Sequence, residues 1–283
     1  MLIRPEINSE VLKNFIIPPR PEALVAVSQE ARSNDPDLSV IVKAISGDVS
    51  LSGALLQVVN SPFYGLRSKV SSVQQAAGLL GINKIDKLVT SVSLRSQLGS
   101  EMDLGRFWDS ATEIANLSGL LAAKLVGVDN DEAYMLGLFH DCGIPVLMQH
   151  FSDYKETLKE CNDTDIRPVT NIEFAKYEVH HALLGYKLAK DWFLSETMCV
   201  AILFHHDCLS IFQDSMDREG PVISLLAVLK LAEQISFEIR RELRADSHTD
   251  WDIYGPIIIN YFGLTAADIE EMKDDMKEKL ELF

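Results

Sequence analysis

Apolar residues recur along most of the chain with the spacing of an α-helix. One clear case is the repeat at i, i+3, i+4 and i+7 formed by Leu38, Ile41, Val42 and Ile45, which places four apolar side chains on one helix face. Similar patterns predict further helices over residues 50–60, 71–80, 84–96, 107–126, 131–141, 170–190, 195–206, 221–243 and 266–282. Only residues 256–262 form a β-branched run, and that run fits either a strand or a buried helix. The pattern predicts an all-α protein.

Polar residues and prolines indicate where several of these helices begin and end. Asp35 or Asn34, just before Pro36, is the expected N-terminal signal of the helix that contains Leu38. The segment 60–62, Asn-Ser-Pro, is most simply a helix stop, because proline cannot continue a helix; a partner-binding loop is the alternative. Thr265 and Asp268 form a capping pair at the start of the last helix.

Composition and charge divide the chain into parts of different character. Its 283 residues are 47% hydrophobic, which suffices for one large domain or two modest ones. Residues 1–105 are neutral in sum, whereas residues 106–283 carry the whole net charge of −16. This change, with Gly99 and Gly105 around a polar stretch, predicts lobes over residues 1–105 and 106–245 and a C-terminal helical extension over 246–283.

The acidic surface and the cysteine pattern exclude several kinds of partner and compartment. A surface of this charge repels phosphate backbones and anionic lipids, so we expect no direct nucleic-acid binding and no membrane binding. The longest apolar runs are too short to span a bilayer, and the N-terminus lacks the features of a signal peptide. Four widely spaced cysteines indicate free thiols in a reducing compartment. We therefore expect a cytoplasmic protein.

The candidate chemistry lies in the histidines, because the sequence has no phosphate-binding loop, dinucleotide motif or nucleophile elbow. His140 and Asp141 end an apolar helix, and His181, His205 and His206 follow downstream. These groups can meet at a metal ion, or they can form a hydrogen-bonded remnant of such a site. His181 lies on an apolar helix, where a core-facing role competes with ligation. Because neighbours on a helix differ by about 100°, we expect only one of the two adjacent histidines to point inward.

Several motifs in order give the chain a resemblance to a known family. They are residues 17–21 (Ile-Pro-Pro-Arg-Pro), 45–51, 55–65, 72–73, 76–77, 80–81, 107–108, 137–143 (Gly-Leu-Phe-His-Asp-Cys-Gly), 181–185, 192 and 205–206. Over about residues 10–240 the chain resembles the bacterial HDOD signalling domain. The resemblance implies an all-α fold, namely an HD-like helical domain with an N-terminal helical lobe. It also implies a regulatory or output module that generally lacks the full catalytic set of HD phosphohydrolases.

The chain departs from a working HD site at several positions. Where the resemblance predicts the first histidine, two residues after Trp108, stands Ser110, and where it predicts the final aspartate stands Glu233. A neutral hydroxyl is a poor ligand for a divalent cation, and Glu233 is one methylene longer than aspartate. In relatives that cleave cyclic dinucleotides a lysine follows the glycine of the doublet, but here Ile144 and Pro145 follow Gly143.

Three functions remain open at this point. The first is a non-catalytic HDOD module that regulates through protein partners of the sensor-kinase, response-regulator or cyclase type, with homo-oligomers compatible with the sequence. The second is a metal-dependent phosphohydrolase acting on a nucleotide or cyclic dinucleotide. The third is a nucleotide or metabolite sensor without turnover. No catalytic residue and no organic cofactor is assigned. The candidate ligands of a divalent iron, manganese, zinc or magnesium ion are His140, Asp141, His181, His205, His206 and Glu233.

Overall fold

The computed structural model describes residues 9–61, 64–66, 68–99, 104–163, 169–214, 220–241 and 250–280. Helices make up 78% of the structure, and no strand occurs within these ranges. The all-α prediction is therefore confirmed. The β-branched run at residues 256–262 is helical, with Pro256 inside a helix.

Five helices form the N-terminal part: α1 (Ser9–Lys13), α2 (Glu22–Ala31), α3 (Leu38–Ser46), α4 (Val49–Val59) and α5 (Val73–Gly99). Helices α2, α3 and α4 all pack against α5. Of the predicted apolar face on α3, Ile41 and Ile45 are fully buried, which explains why this short segment is helical. The N-cap of α3 is Asp37, which accepts a hydrogen bond from Ser39 N at 2.7 Å, so the prediction of Asp35 or Asn34 was wrong.

The remaining helices are α6 (Gly105–Ala122), α7 (Asn130–Phe139), α8 (Gly143–His150), α9 (Tyr154–Asp163), α10 (Val169–Tyr177), α11 (His181–Asp191), α12 (Glu196–Phe204), α13 (Cys208–Asp214), α14 (Gly220–Arg241), α15 (Asp250–Phe262) and α16 (Ala266–Leu280). Helix α12 is buried from Met198 to Phe204, as expected of a helix that is apolar all round. It packs between α11, α14 and α7. This arrangement brings the helix ends that carry the histidines to one place.

Two backbone positions break helices where the sequence pattern is ambiguous. Gly81, with φ of 73°, separates two helices within the range of α5, as the two patterns at 71–80 and 84–96 predict. Glu178 has φ of 59° and ends α10, so the single helix predicted over residues 170–190 is in fact two helices. A non-glycine residue in this left-handed region is uncommon. The predicted helices omit α1, α2, α8, α9 and α13.

Predicted helix-end residues are found at the start of α16 and at the end of α4. Thr265 and Asp268 exchange side-chain and backbone hydrogen bonds at the start of α16, which confirms the capping pair. Asn60 ends α4 and also holds the following loop, because its side chain bonds Leu56 O and both backbone polar groups of Val70. Pro62 and the predicted linker at residues 100–103 lie outside the described residues.

The core runs continuously from the N-terminal helices to α16, and α5 packs against α7 and α8. Trp192, in the loop after α11, donates from Nε1 to Pro18 O at 2.9 Å and so joins distant parts of the chain. The boundaries at residues 105 and 245 stay predictions. Among the described residues no single helix has the length and apolarity to cross a bilayer; only α3 and α4 taken together do, and they are bent by 113°.

Candidate metal centre

Four side chains from three helix ends converge on one point. We name Asp141, His181, His205 and His206 the His/Asp cluster; one ligand atom from each lies within 4.8 Å of the others. Asp141 Oδ1 lies 3.3 Å from His181 Nε2 and 3.2 Å from His205 Nε2. The Nε2 atoms of His206 and His181 are 3.0 Å apart. All three imidazoles therefore present the same nitrogen to one small space.

Helix ends place these groups. Helix α7 ends at Phe139, with His140 as its C-cap, and Asp141 lies in the tight turn before α8. His181 is the first residue of α11. His205 is the C-cap of α12, and His206 follows it outside the helix. Polar side chains at helix ends can meet without replacing the apolar residues that hold the helices together.

The expectation that only one of the adjacent histidines points inward was wrong. His205 is fully buried and contacts Asp141, while His206 contacts His181. The 100° separation applies only inside a helix, but α12 ends at Phe204, so the turn that follows directs both rings to the cluster.

Glycines in the motif around the doublet permit close helix packing. A Cβ at Gly143 would lie 2.0 Å from His181 O, and a Cβ at Gly137 would lie 2.7 Å from Ala115 Cα. The first contact fixes the start of α8 against the start of α11, and therefore Asp141 near His181. The second presses α7 onto α6. These positions require glycine for close approach of backbones.

Hydrogen bonds to the opposite ring nitrogens orient the imidazoles. The Nδ1 of His140 lies 2.9 Å from Gly137 O, and the Nδ1 of His205 lies 2.7 Å from Ile202 O. A carbonyl can only accept, so both Nδ1 atoms carry the proton and both Nε2 atoms are directed at Asp141. This is the outer arrangement that metal-binding histidines generally have.

Glu173 of α10 performs the same role for His181, and sequence reasoning missed it. Its carboxylate lies 2.8 Å from His181 Nδ1 and accepts the backbone N–H of His181 at 2.9 Å. Tyr154 of α9 donates its hydroxyl to the same carboxylate, which is fully buried. The only signal in the sequence is an acidic residue between Ile172 and Phe174, eight positions before His181.

Burial and neighbouring charges set the protonation of the cluster. Burial lowers the pKa of His205 to about 4, despite the Asp141 carboxylate, and holds the pKa of His206 well below its ordinary value, with help from the charge on other histidines. Both rings are thus neutral at pH 7. Although burial alone would raise it, the pKa of Asp141 is well below its usual range because the histidines surround it.

His181 is the exception within the cluster. Burial would lower its pKa, but the Glu173 carboxylate and the hydrogen bond to Asp141 outweigh burial and raise the pKa to about 10. Without metal, His181 therefore carries two ring protons, and its Nε2–H is shared between Asp141 and His206. That proton sits where a cation would bind.

The donor set fits one divalent ion. Three imidazole nitrogens and one carboxylate oxygen suit zinc, iron or manganese, and each ligating ring except that of His206 has its other nitrogen held by an oriented acceptor. Such an ion, when bound, would act as a Lewis acid or tie the three helix ends together. The residues present would hold it with Asp141 as the only charged ligand.

His140 and Glu233 lie beside the cluster but form a separate group. His140 Nε2 is 3.2 Å from Asp141 Oδ2 and 3.9 Å from Glu233 Oε1. Glu233 is already paired with Lys230 at 2.8 Å, and Lys230 is only 4% exposed. Ser110, half-buried on α6, stands at the sequence position where the resemblance implies the first histidine of an HD site. The positive charge beside Glu233 is thus an ammonium, and the ligand set there is incomplete.

The fold and these groups together define an HD-like helical protein. The chain belongs to the HDOD domain family, whose model matches residues 17–208. An uncharacterized protein of Treponema pallidum (strain Nichols) is 29% identical over 217 residues, which cover 75% of this chain and 41% of that protein. The chain thus spans less than half the length of that relative.

Solved structures share the fold. A Marinobacter aquaeolei VT8 protein, provisionally described as a signal transduction protein, superposes with a TM-score of 0.70 at 20% identity, covering 97% of this chain and 63% of that one. A Shewanella amazonensis SB2B protein, provisionally described as a phosphohydrolase, has a TM-score of 0.69 at 20% identity, covering 96% and 97%. At this identity the likeness extends to the fold alone.

Proposed function

We propose that this protein is a regulatory HDOD module without hydrolytic activity, whose His/Asp cluster binds one structural divalent ion. The supporting observation is the contrast between two ligand groups that share Asp141. The three histidines on one side are complete and oriented. On the other side Lys230 already neutralises Glu233, and the sequence has Ser110 where the resemblance implies a ligating histidine.

The loss of the second group argues against hydrolysis. In two-metal sites, a pair of ions holds both the attacking and the leaving oxygen of a phosphoryl transfer. Here the space beside His140 and Glu233 contains an ammonium group that cannot activate a water molecule as a metal does. A single ion held by neutral imidazoles and Asp141 would instead fix the ends of α7, α11 and α12 relative to one another.

Regulation by protein contact is part of the same proposal. Membership of the HDOD family supports it, and the partner class we infer is a sensor kinase, a response regulator or a cyclase. A metal-tied arrangement of helix ends would give such a partner a defined surface.

Metal analysis and an activity assay test the metal and the absence of hydrolysis together. The purified protein should contain about one zinc, iron or manganese ion per chain, and Asp141→Ala should lose it. His150→Gln, which changes an exposed histidine of α8 outside the cluster, should keep the ion. Hydrolysis of cyclic dinucleotides should stay at background with added manganese. Metal-activated hydrolysis that Asp141→Ala abolishes would contradict the proposal.

Melting curves separate a metal site from a purely structural cluster. If an ion binds, chelator should lower the melting temperature of the wild type and of His150→Gln but leave Asp141→Ala unchanged. If the cluster is only hydrogen-bonded, Asp141→Ala should be destabilised by about 1–3 kcal/mol with or without chelator, because its partners lose an acceptor. The second pattern would remove the metal from the proposal.

One observation favours a phosphohydrolase as the second candidate function. Lys230 places a buried cation near His140, and it can take the place of the lysine that relatives carry after the doublet glycine. With one metal ion, it would bind a phosphate oxygen. Lys230→Met would then abolish any activity found above, whereas under the main proposal there is no activity for it to change.

A further inference from the structure

A second polar site lies between the lobes, apart from the His/Asp cluster. We propose that this cavity binds the phosphate group of a small molecule and thereby gives the protein an input separate from the metal. The cavity has a volume of about 100 Å³. The lining includes Arg20, Arg32, Asp86, Lys87, Phe193 and Ser195.

Two guanidinium groups at the cavity lack a full set of acceptors. The Nε of Arg20 is buried with no hydrogen-bond partner among the described residues. Arg32 donates from Nη2 to Phe193 O at 3.3 Å, which is a single long hydrogen bond for a group with five N–H donors. Burial lowers the pKa of Arg20, and the charge of Arg32 lowers it further, against the opposing effect of the Asp86 carboxylate. An oxyanion between the two side chains would satisfy both.

Some of the charged side chains at the cavity already have partners within the protein. Asp86 accepts the hydroxyl of Ser28 at 2.7 Å, and Lys87 is paired with Asp129 outside the cavity at 3.0 Å. Glu132 is the second carboxylate of the lining. Because Lys87 already has Asp129 as its partner, the two arginines are the cations left to meet an added anion, in a chain whose net charge is −16. Two neighbouring guanidinium groups on so acidic a protein are a reason to look for an anionic ligand.

Helix α12 points its N-terminus at the same space. Ser195, its N-cap, and Met198 both line the cavity, and the Ser195 hydroxyl accepts the N–H of Met198 at 3.2 Å. The N-terminal end of a helix carries partial positive charge and favours anions. It adds to the two arginines and would not define a site without them.

Phe193 lies at the cavity with an exposed ring. Its φ is 59°, its side chain is 64% exposed, and the Arg20 guanidinium lies 5.4 Å from the ring centroid. This left-handed φ closes the C-terminus of α11, where the Phe193 N–H donates to Lys190 O and the Leu194 N–H donates to Ala189 O, and it leaves the ring in solvent beside Arg20. An exposed ring next to an anion site is suited to stack on a planar group attached to the phosphate.

The size of the cavity limits the ligand. Sites for whole drug-sized molecules usually measure roughly 300–1,000 Å³, so about 100 Å³ holds only a tetrahedral oxyanion, with the rest of the ligand outside near Phe193. Arg20 and Lys87 belong to the N-terminal helices and their loops, whereas Ser195 belongs to the HD-like part. Binding would therefore bridge the lobes and favour one arrangement of them.

Titration calorimetry in chelator tests the proposal, since chelator prevents phosphate from binding through a metal. The probes are inorganic phosphate, AMP, GMP and the uncharged nucleosides. We expect saturable binding of inorganic phosphate or a nucleotide but not of nucleosides. Arg20→Gln and Arg32→Gln should each weaken binding about tenfold or more. Arg106→Gln, which removes an exposed guanidinium at the start of α6, should bind like the wild type.

Each further outcome has a defined meaning. Tighter binding of a nucleotide than of phosphate, reduced in Phe193→Leu, supports a planar ligand at the ring; equal binding supports free phosphate as the ligand. No saturable binding by any probe, or equal binding by both arginine variants and the wild type, overturns the proposal. If Arg20→Gln does not fold, Arg32→Gln and Phe193→Leu supply the test.

Discussion

Single side chains around His181 determine how the cluster responds to metal. Glu173 is not a ligand, yet it sets the orientation of His181 and the charge on its ring. Replacing it with glutamine keeps its size but removes the charge. Glu178→Gln is a matched control, because Glu178 is exposed at the end of the same helix.

The first prediction concerns metal affinity. Glu173→Gln should weaken binding of zinc or manganese by about 10–100-fold, the usual effect of losing an outer partner of a ligating histidine. Competition with a chromophoric chelator measures this change. Glu178→Gln should leave the affinity unchanged. Equal affinities for all three proteins would mean that His181 does not contribute to the metal site.

The second prediction concerns pH in the metal-free protein. The pKa of His181 is about 10 when folded, against an ordinary value of 6.5, so its contribution to stability is complete below about pH 6.5 and is lost as pH rises through 10. The free energy of unfolding of chelator-treated protein should therefore fall across this window. Urea titrations at several pH values should show a smaller fall for Glu173→Gln than for Glu178→Gln. An identical pH dependence in both variants would contradict the assignment.

The residues of the candidate site were predictable to different degrees. His140 and Asp141 stand out because two polar residues follow an apolar helix. The pair His205 and His206 was misjudged because the exact end of α12 decides whether both rings can point inward, and one more residue of helix would rotate them apart. Glu173 was missed because its partner is set by how α10 packs. Lys230 had a usable signal, since it is a lone charge within the apolar run 222–232.

Helix packing at the doublet depends on close backbone contact, and this leads to the third prediction. Gly143→Ala should destabilise the protein by about 3 kcal/mol or more, because its Cβ would overlap His181 O, which belongs to backbone that cannot easily move. Gly53→Ala should instead stabilise it by about 0.5–1 kcal/mol, since Gly53 lies within α4 with open space around its Cβ position.

Urea unfolding followed by circular dichroism measures both changes. The two variants make the same chemical change at a helix, so their opposite signs would isolate the effect of the contact between α8 and α11. If Gly143→Ala proved as stable as the wild type, α8 would not approach α11 as closely as the structure shows. If Gly53→Ala were destabilising, helix propensity would not be what governs that position.

The helices themselves were largely predictable because most bury one apolar face. Their ends were less so: Glu178, which divides two helices, is an ordinary residue in an unusual conformation that no propensity indicates. Short helices such as α9 have a largely polar sequence and depend on packing against neighbours. The charge difference at residue 105 does not reveal that α5 would also pack against α7 and α8.

At the largest scale the question is whether the lobes act as one unit. The core is continuous across the predicted boundary, and Trp192, only 2% exposed, donates to Pro18 O from a position 174 residues away. The proposed phosphate cavity lies along the same junction. A regulatory signal can pass between the lobes only if a conformational change in one lobe alters the conformational equilibrium of the other.

The fourth prediction follows from this shared core. The protein should unfold in one cooperative transition, with the calorimetric enthalpy equal to the van't Hoff enthalpy, although chains above about 150 residues often unfold in steps. Trp192→Phe keeps most of the buried ring but removes the donor to Pro18 O, and it should lower stability by about 1 kcal/mol while keeping a single transition. Scanning calorimetry of both proteins in chelator makes the comparison.

Two separate transitions in the wild type would mean that the lobes unfold independently, and then a ligand bound in one lobe could not stabilise the other through the core. A single wild-type transition that splits in Trp192→Phe would instead show that this one hydrogen bond, more than the apolar contacts of α5, holds the lobes together.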